Sequence, residues 1–358
     1  MSPATLLIAL AACSTPAPEA PVLGPGGSAG PGSPLAGLDP VRIGWQTTWA
    51  TQGQLAQILA RTMLLQEQGM EPALVGFTYG GPLNEGALAG EVDVVLTADQ
   101  PAIMLCAKSP DWAIVGRLMY NRVGTFVPLD SPAQSMADLA GKTVAIPYGA
   151  AAQRETLWAL REAGLDPASD VTAVNLGIQE QVALVGAGAK DGRWGSIDAG
   201  SAWDPTFAEL EHSGAVRVLD QGVVTSVVVM HRDYLTAHPG ADERFLAALG
   251  EAYAAYRSHP EQADAWFVEA AGVQFDPAVL ALAASVEPNL ELGGPISTRL
   301  SEGDLAGMER AAAFMLEAGL LKQPADLRAM VAQPGESAQP AVQEDAQGDQ
   351  GQVGHGQP

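Results

Sequence analysis

From Val41 to about Val331, short apolar runs of period two alternate with longer stretches of helical period. This rhythm predicts an α/β architecture with largely parallel sheets. In the first unit Val41, Ile43 and Trp45 alternate with Arg42 and Gly44, and Gln46 to Thr48 break the pattern. Leu55, Ile58, Leu59 and Met63 then recur at helical spacing up to Gly69, which makes a strand, a loop and a helix. Further strands are expected at Ala73 to Phe77 and Val92 to Leu96, with a helix around Leu83 to Leu88 between them.

A second set of units follows. Ser135, three residues before Asp138, has the spacing of a capping box for a short helix that closes at Gly141. Thr143 to Ile146 reads as a strand, Tyr148-Gly149-Ala150 as a turn, and Ala151 to Ala163 as a helix stopped by Gly164. Strands are also expected at Val171 to Val174, Gly195 to Ala199 and Val216 to Leu219, with helices near Gln179 to Val185 and Pro205 to His212. The β-branched run Val223 to Met230 predicts a fully buried strand. After His231 the pattern is helical only, as in Glu243 to Arg257, Glu261 to Ala271 and Asp304 to Ala318. Two strand-rich regions and a helical return are what a chain gives when it crosses twice between two lobes and finishes on the first.

Composition narrows the function. A chain of 358 residues with 47% hydrophobic content can fill two cores. Its 18 basic against 41 acidic residues leave a net charge of -23, which repels polyanions and argues against nucleic acid as a partner. Thr5 to Ala12 is apolar but far shorter than the roughly 20 residues a membrane span needs, and it reads as the apolar part of an export signal. No Lys or Arg precedes Arg42, so a start codon further upstream is expected. Residues 14–40, rich in Pro, Gly, Ala and Ser, read as a flexible tether, and residues 332–358 as a disordered tail in which His355 has no metal-ligand partners. Cys13 and Cys106 lie in unlike surroundings, so no disulfide is expected, and Cys106 in its apolar run reads as a small buried hydrophobe.

Two resemblances give these features a function. Leu10-Ala11-Ala12-Cys13 resembles the lipobox of bacterial lipoproteins, which implies cleavage before Cys13 and a lipid on that residue. Ile43-Gly44-Trp45-Gln46, Gly80-Gly81-Pro82 with Gly90-Glu91-Val92-Asp93, Asp138 to Ala145, and Asp198-Ala199 followed by Trp203-Asp204-Pro205 resemble, in order and spacing, the nitrate, sulfonate and taurine-binding group of periplasmic binding proteins. Relatives of that group bind the thiamine pyrimidine precursor. The resemblance implies two doubly wound lobes of the type II binding-protein fold, joined by two hinge crossings and closed by a helical return. Signal peptide and lipobox then occupy residues 1–13, one lobe residues 41–127 plus 226–331, and the other residues 128–225. The crossings are expected near Gly124 to Val127 and Thr225 to Val228, with hinge closure as the functional motion.

In open α/β sheets ligands bind at the carboxyl ends of strands. The candidate ligand residues are therefore Gln46, Thr47, Thr48, Trp49, Tyr79, Gly81, Thr97, Asp99, Gln100, Tyr148, Gly149, Ala150, Trp203 and Asp204. Gly81 and Gly149 precede helices and offer backbone N–H groups to an anionic oxygen, or are plain turns. Trp49, Tyr79, Tyr148 and Trp203 offer aromatic faces, or pack. Asp204 suits a ligand amine, or a helix cap followed by Pro at the first helical position. Arg122 and Arg154 are the basic residues placed near the cleft, which leaves two ligand classes open: a sulfonate or nitrate-type anion, and a cationic or heterocyclic nitrogen compound.

The expected role is that of a solute-binding lipoprotein at the cell envelope. It would be a monomer without cofactor or metal that delivers a small molecule to an ABC permease and its ATPase. The rivals are a pyrimidine-related enzyme of the same fold, for which no nucleophile–base pair is evident, and a ligand-sensing lipoprotein without a transport role.

Overall fold

The computed structural model describes residues 37–188 and 194–332. Cys13 with its lipobox, nearly all of the 14–40 tether, and the tail with His355 lie outside the described residues. The strands are β1 (Asp39–Gln46), β2 (Met70–Phe77), β3 (Val94–Ala98), β4 (Trp112–Pro128), β5 (Thr143–Ile146), β6 (Thr172–Asn175), β7 (Ala199–Trp203) and β8 (Val216–His231). The helices interleaved with them are α1 (Gln52–Arg61), α2 (Leu64–Glu67), α3 (Gly80–Leu88), α4 (Asp99–Lys108), α5 (Ala151–Glu162), α6 (Ile178–Gly188) and α7 (Thr206–His212). After β8 come α8 (Arg232–Ala237), α9 (Ala241–Ser258), α10 (Pro260–Ala271), α11 (Pro277–Ala284), α12 (Glu302–Glu317) and α13 (Leu327–Met330).

The strands form one sheet in the order β2-β1-β3-β8-β4-β7-β5-β6. Within each half the pairing is parallel: β1 with β2 and β3, and β5 with β6 and β7. The two long central strands are antiparallel to each other and to their outer neighbours β3 and β7. This is the α/β, two-lobed arrangement expected, with β4 and β8 as the two crossings. β3 pairs with β8 over Ser226 to Met230, and β7 pairs with β4 over Val123 to Phe126. Between these ladders the sheet narrows to two strands, where Tyr120, Asn121 and Arg122 face Thr225, Val224 and Val223. The narrowing thus precedes Gly124 to Val127 and meets the other expected crossing only at Thr225, because pairing with β7 and β3 claims the residues beyond.

Two sequence expectations need correction. The segment Val216 to Met230 is one strand, and Val223 within it is 56% exposed because no third strand covers the narrowing. The strand expected at Gly195 to Ala199 runs instead from Ala199 to Trp203. β4 itself, the longest strand, carries register shifts between Ile114 and Gly116, Arg117 and Met119, and Thr125 and Phe126. Each such shift turns the side-chain alternation over, so a period-two pattern cannot persist along it.

One core runs under both lobes, from Ile43, Leu59 and Val94 to Phe126 and Phe207. Two smaller cores cover the opposite face, one built on Ile103, Trp112 and Met315, the other on Ile146 and Leu160. The helical return packs α9 and α10 on α1. Helix α12 straddles the lobes, placing Met308 and Met315 in one of the smaller cores and Phe314 in the other.

Candidate ligand site

The parallel strands of both lobes bring their carboxyl ends to one place, and a cavity lies there. Lobe one contributes Gln46, Trp49, Gly80, Ala98 and Pro101; lobe two contributes Ala150, Ala151, Ala152 and Trp203; Asn121 and Val123 of β4 form the wall between them. The cavity measures about 20 Å³, room for about one water molecule, and bonds from Trp203 to the Thr48 carbonyl and from Arg154 to Asp99 join the lobes beside it, so the lobes are closed on each other.

The polar atoms of the walls are largely spoken for by the protein. Trp49 Nε1 donates to Asn121 Oδ1 at 2.7 Å, and Trp203 Nε1 donates to the Thr48 carbonyl at 3.1 Å. Both indoles line the cavity, and their N–H groups are taken by the protein. Tyr79 packs against Trp203 with ring centroids 6.2 Å apart. The Gln46 amide donates to the Leu96 carbonyl and to Thr97 Oγ1.

The helix starts are a different matter. The first N–H groups of any α-helix have no carbonyl one turn back, and they carry the positive end of the helix dipole. Helix α3 begins at Gly80 and helix α5 at Ala151, so Gly80 from one lobe and Ala151 and Ala152 from the other bring such donors to the cavity. The approach depends on glycine. A Cβ on Gly80 would lie 2.7 Å from Pro101 Cγ, and Gly149 adopts a φ of +81°, a left-handed backbone that side chains with a Cβ rarely take. At the third helix start nearby, that of α4, one donor is taken, since Asp99 Oδ1 accepts from the Gln100 N–H at 2.6 Å, and Pro101 has none to offer.

The two arginines expected near the cleft are both paired. Arg154 reaches Asp99 at 2.6 Å and Glu155 at 2.5 Å. Arg122 reaches Asp204 at 2.9 Å and Glu211 at 3.1 Å. Burial pushes the Glu155 carboxyl up from its ordinary range despite the pull of Arg154, and it does the same to Asp204 despite Arg122. For Arg154 burial works against the charge, but Asp99 and Glu155 outweigh it and its pKa is raised.

Of the residues expected from sequence, Gln46, Trp49, Ala150 and Trp203 line the cavity, and Gly81 stands behind Gly80 on the same turn. Thr97 is fully buried beneath Gln46. Thr47 and Thr48 direct their hydroxyls to the Phe77 and Thr78 carbonyls. Asp99 and Gln100 face the other lobe through Arg154 and Gln153. Gly149 donates its N–H to Gln153 Oε1 at 2.9 Å. Tyr148 turns outward, its hydroxyl donating to the Ala173 carbonyl at 3.3 Å. Asp204 accepts from Arg122 and from the Ala208 N–H, while Pro205 stands before α7 rather than at its first position. Sequence reasoning missed Gly80, Ala98, Pro101, Ala151, Ala152, Asn121 and Val123. The last two sit on β4, the strand whose alternation the bulges erase.

Among the described residues no group of three or more His, Cys, Asp or Glu is arranged to hold a metal ion. Cys106 lies away from the cavity in one of the smaller cores, its thiol pushed up to about 12 by burial. No helix among the described residues is long and apolar enough to cross a membrane.

Comparison with known proteins agrees with this fold. The chain is 27% identical over 306 residues to the putative aliphatic sulfonates-binding protein of Escherichia coli (strain K12), covering 82% of this chain and 89% of that one. Among solved structures, the alkanesulfonate-binding protein SsuA from Xanthomonas axonopodis pv. citri, bound to MOPS, superposes with a TM-score of 0.68 at 23% identity, covering 83% of this chain and 99% of that one. The desulfurization enzyme DSZB shares the fold as well, with a TM-score of 0.60 at 19% identity over 84% of this chain and 98% of its own. The family description NMT1/THI5 like matches residues 67–263, more than half of the chain, which therefore belongs to the NMT1/THI5-like family.

Proposed function

We propose that this protein is the solute-binding component of an ABC importer and that its solute is a small organic oxyanion of the sulfonate type. The observation carrying this reading is the meeting of two helix starts, α3 from one lobe and α5 from the other, across the closed cavity. A sulfonate spreads one charge over three oxygens, and backbone N–H groups at helix starts suit such a group without a side-chain cation. Trp49, Trp203, Pro101 and Val123 then surround the organic end. The name of the aliphatic sulfonates-binding relative points the same way.

A cationic nitrogen ligand would call for a carboxylate free to face it. Asp99 and Asp204 are each engaged by an arginine, which favours the anion. The enzymatic reading would call for a nucleophile in the cavity; Cys106, the thiol among the described residues, is buried elsewhere.

In the same reading Cys13 carries a lipid that tethers the protein on the outer face of a membrane. Drawn at the narrowing rather than at the crossings expected from sequence, the lobes comprise residues 41–121 with 224–331 and residues 122–223, and they open and shut about Tyr120 to Arg122 and Val223 to Thr225. The closed form is handed to a permease and its ATPase.

A thermal-shift screen tests the solute, since a ligand bound only by the native state raises the melting midpoint. Ethanesulfonate and related alkanesulfonates are expected to raise it. Shifts with aminopyrimidines or guanidinium-type cations alone would reject the anion reading.

A further inference from the structure

We propose that the ion pair between Arg154 and Asp99 is an interlobe lock, and that Arg154 is a positioning residue that sets ligand affinity by stabilising the closed form without touching the ligand. This rests on reading the cavity as the solute site, and it adds how closure is held. Arg154 belongs to α5 in the second lobe and Asp99 to α4 in the first. Their charged atoms lie 2.6 Å apart, with side chains only 7% and 5% exposed.

Neighbouring groups bind across the same seam. Gln100 Nε2 donates to Gln153 Oε1 at 3.1 Å, and the Arg154 N–H donates to Gln100 Oε1 at 3.1 Å. Every one of these contacts joins one lobe to the other, so opening the cleft must break them together.

The lock stands beside the ligand cavity rather than in it. Arg154, Asp99 and Glu155 line a separate hollow of about 180 Å³ with Val223 to Thr225 of the narrowing and Arg310 of α12. On opening, Arg154 keeps Glu155, its neighbour on the same helix, while Asp99 returns to water with its bond to the Gln100 N–H intact. Neither lobe is left with a stranded charge when open. In the closed form, by contrast, loss of Arg154 leaves the buried Asp99 with the Gln100 N–H and no counter-charge from Arg154, and loss of Asp99 leaves the buried Arg154 with Glu155 alone; that penalty falls on the closed form alone. Apparent affinity scales with the population able to close, so the lock acts on binding at a distance.

The test uses distances between spin labels on the two lobes, at Ala89→Cys and Ala168→Cys in a Cys13→Ser background, together with calorimetric titration of ethanesulfonate. Without sulfonate, Arg154→Gln is expected to shift the label distances toward longer values, and with it to weaken binding roughly tenfold, the scale of one charge-assisted bond. Asp99→Asn should do the same, the double variant should be no worse than the worse single one, and Arg154→Lys should recover part of the loss. Melting midpoints without sulfonate show that each variant is folded. Sulfonate-free label distances that lack a short component, or that Arg154→Gln leaves unchanged, overturn the lock, as do losses that simply add in the double variant. If ethanesulfonate fails to bind even the unaltered protein, the sulfonate reading falls, and the sulfonate-free distances alone decide the lock.

Discussion

Two buried arginines of this protein look alike and do opposite work. Arg122, at the start of the second lobe's share of β4, is clasped by Asp204 and Glu211, both from the β7–α7 region of that lobe. Arg154 is clasped by Glu155 of its own helix and by Asp99 of the other lobe. A pair within one lobe persists whether the cleft is open or shut and so belongs to stability. A pair across the seam exists only when the cleft is shut and so belongs to binding. The distinction rests on where each partner's helix starts, not on the chemistry of the pair.

The largest expected effect breaks the first of these. Arg122→Met leaves Asp204 buried without its partner and should cost about 3–5 kcal/mol of stability in urea unfolding. The sulfonate affinity of the molecules that stay folded should change little. Equal loss of affinity would erase the contrast with Arg154.

Next comes the cavity wall. Trp203→Ala removes an indole from the cavity wall and should weaken sulfonate binding by about 1–3 kcal/mol. Tyr148→Ala, on a ring that turns toward Ala173, should alter binding by less than about 0.5 kcal/mol. Comparable losses by calorimetry would move Tyr148 into the site.

The smallest effect concerns acid. Asp304 of α12 accepts from Ser301 and from the Tyr120 hydroxyl beside the narrowing. Burial raises its pKa, but the Ser301 hydroxyl and N–H, then Tyr120, bring the balance below the ordinary 3.8. The stability it contributes is present above pH 3.8 and is lost as the pH falls through the lowered value. Glu155 and Asp204, with raised values, act in the other sense: their contribution is full below their ordinary values and is lost as the pH rises through the raised ones. Asp304→Asn should therefore flatten the acid limb of a stability-against-pH curve, and an unchanged limb would show that Asp304 is not its source.

Much of the fold was legible because parallel strands and their helices leave local patterns: Val41 to Trp45, Thr143 to Ile146 and the Ser135–Asp138 box read directly. β4 was not, because its bulges scramble alternation and its Arg117, Asn121 and Arg122 look like loop residues until Glu287, Trp49 and Asp204 are seen to meet them. In the site, the loops were legible from the strand-end rule, which found Gln46, Trp49, Ala150 and Trp203. Which face each loop residue shows was not. Tyr148 points out and Asp99 points to the other lobe because of partners 25 and 55 residues away. The scarcity of basic residues near the cleft, which left the ligand class open in the sequence, matters less to an anion once two helix starts converge.

The central claim is that backbone N–H groups hold the anion, and Ala151 offers the most direct measurement. Proline is tolerated at the first position of a helix but has no N–H, and Ala150 already has the extended backbone that a residue before proline needs. Ala151→Val adds bulk and keeps the N–H. In titration calorimetry with ethanesulfonate, the account predicts that Ala151→Val still binds and that Ala151→Pro, with an unaltered melting midpoint, loses about tenfold or more in affinity. Equal affinity for the two variants would contradict it.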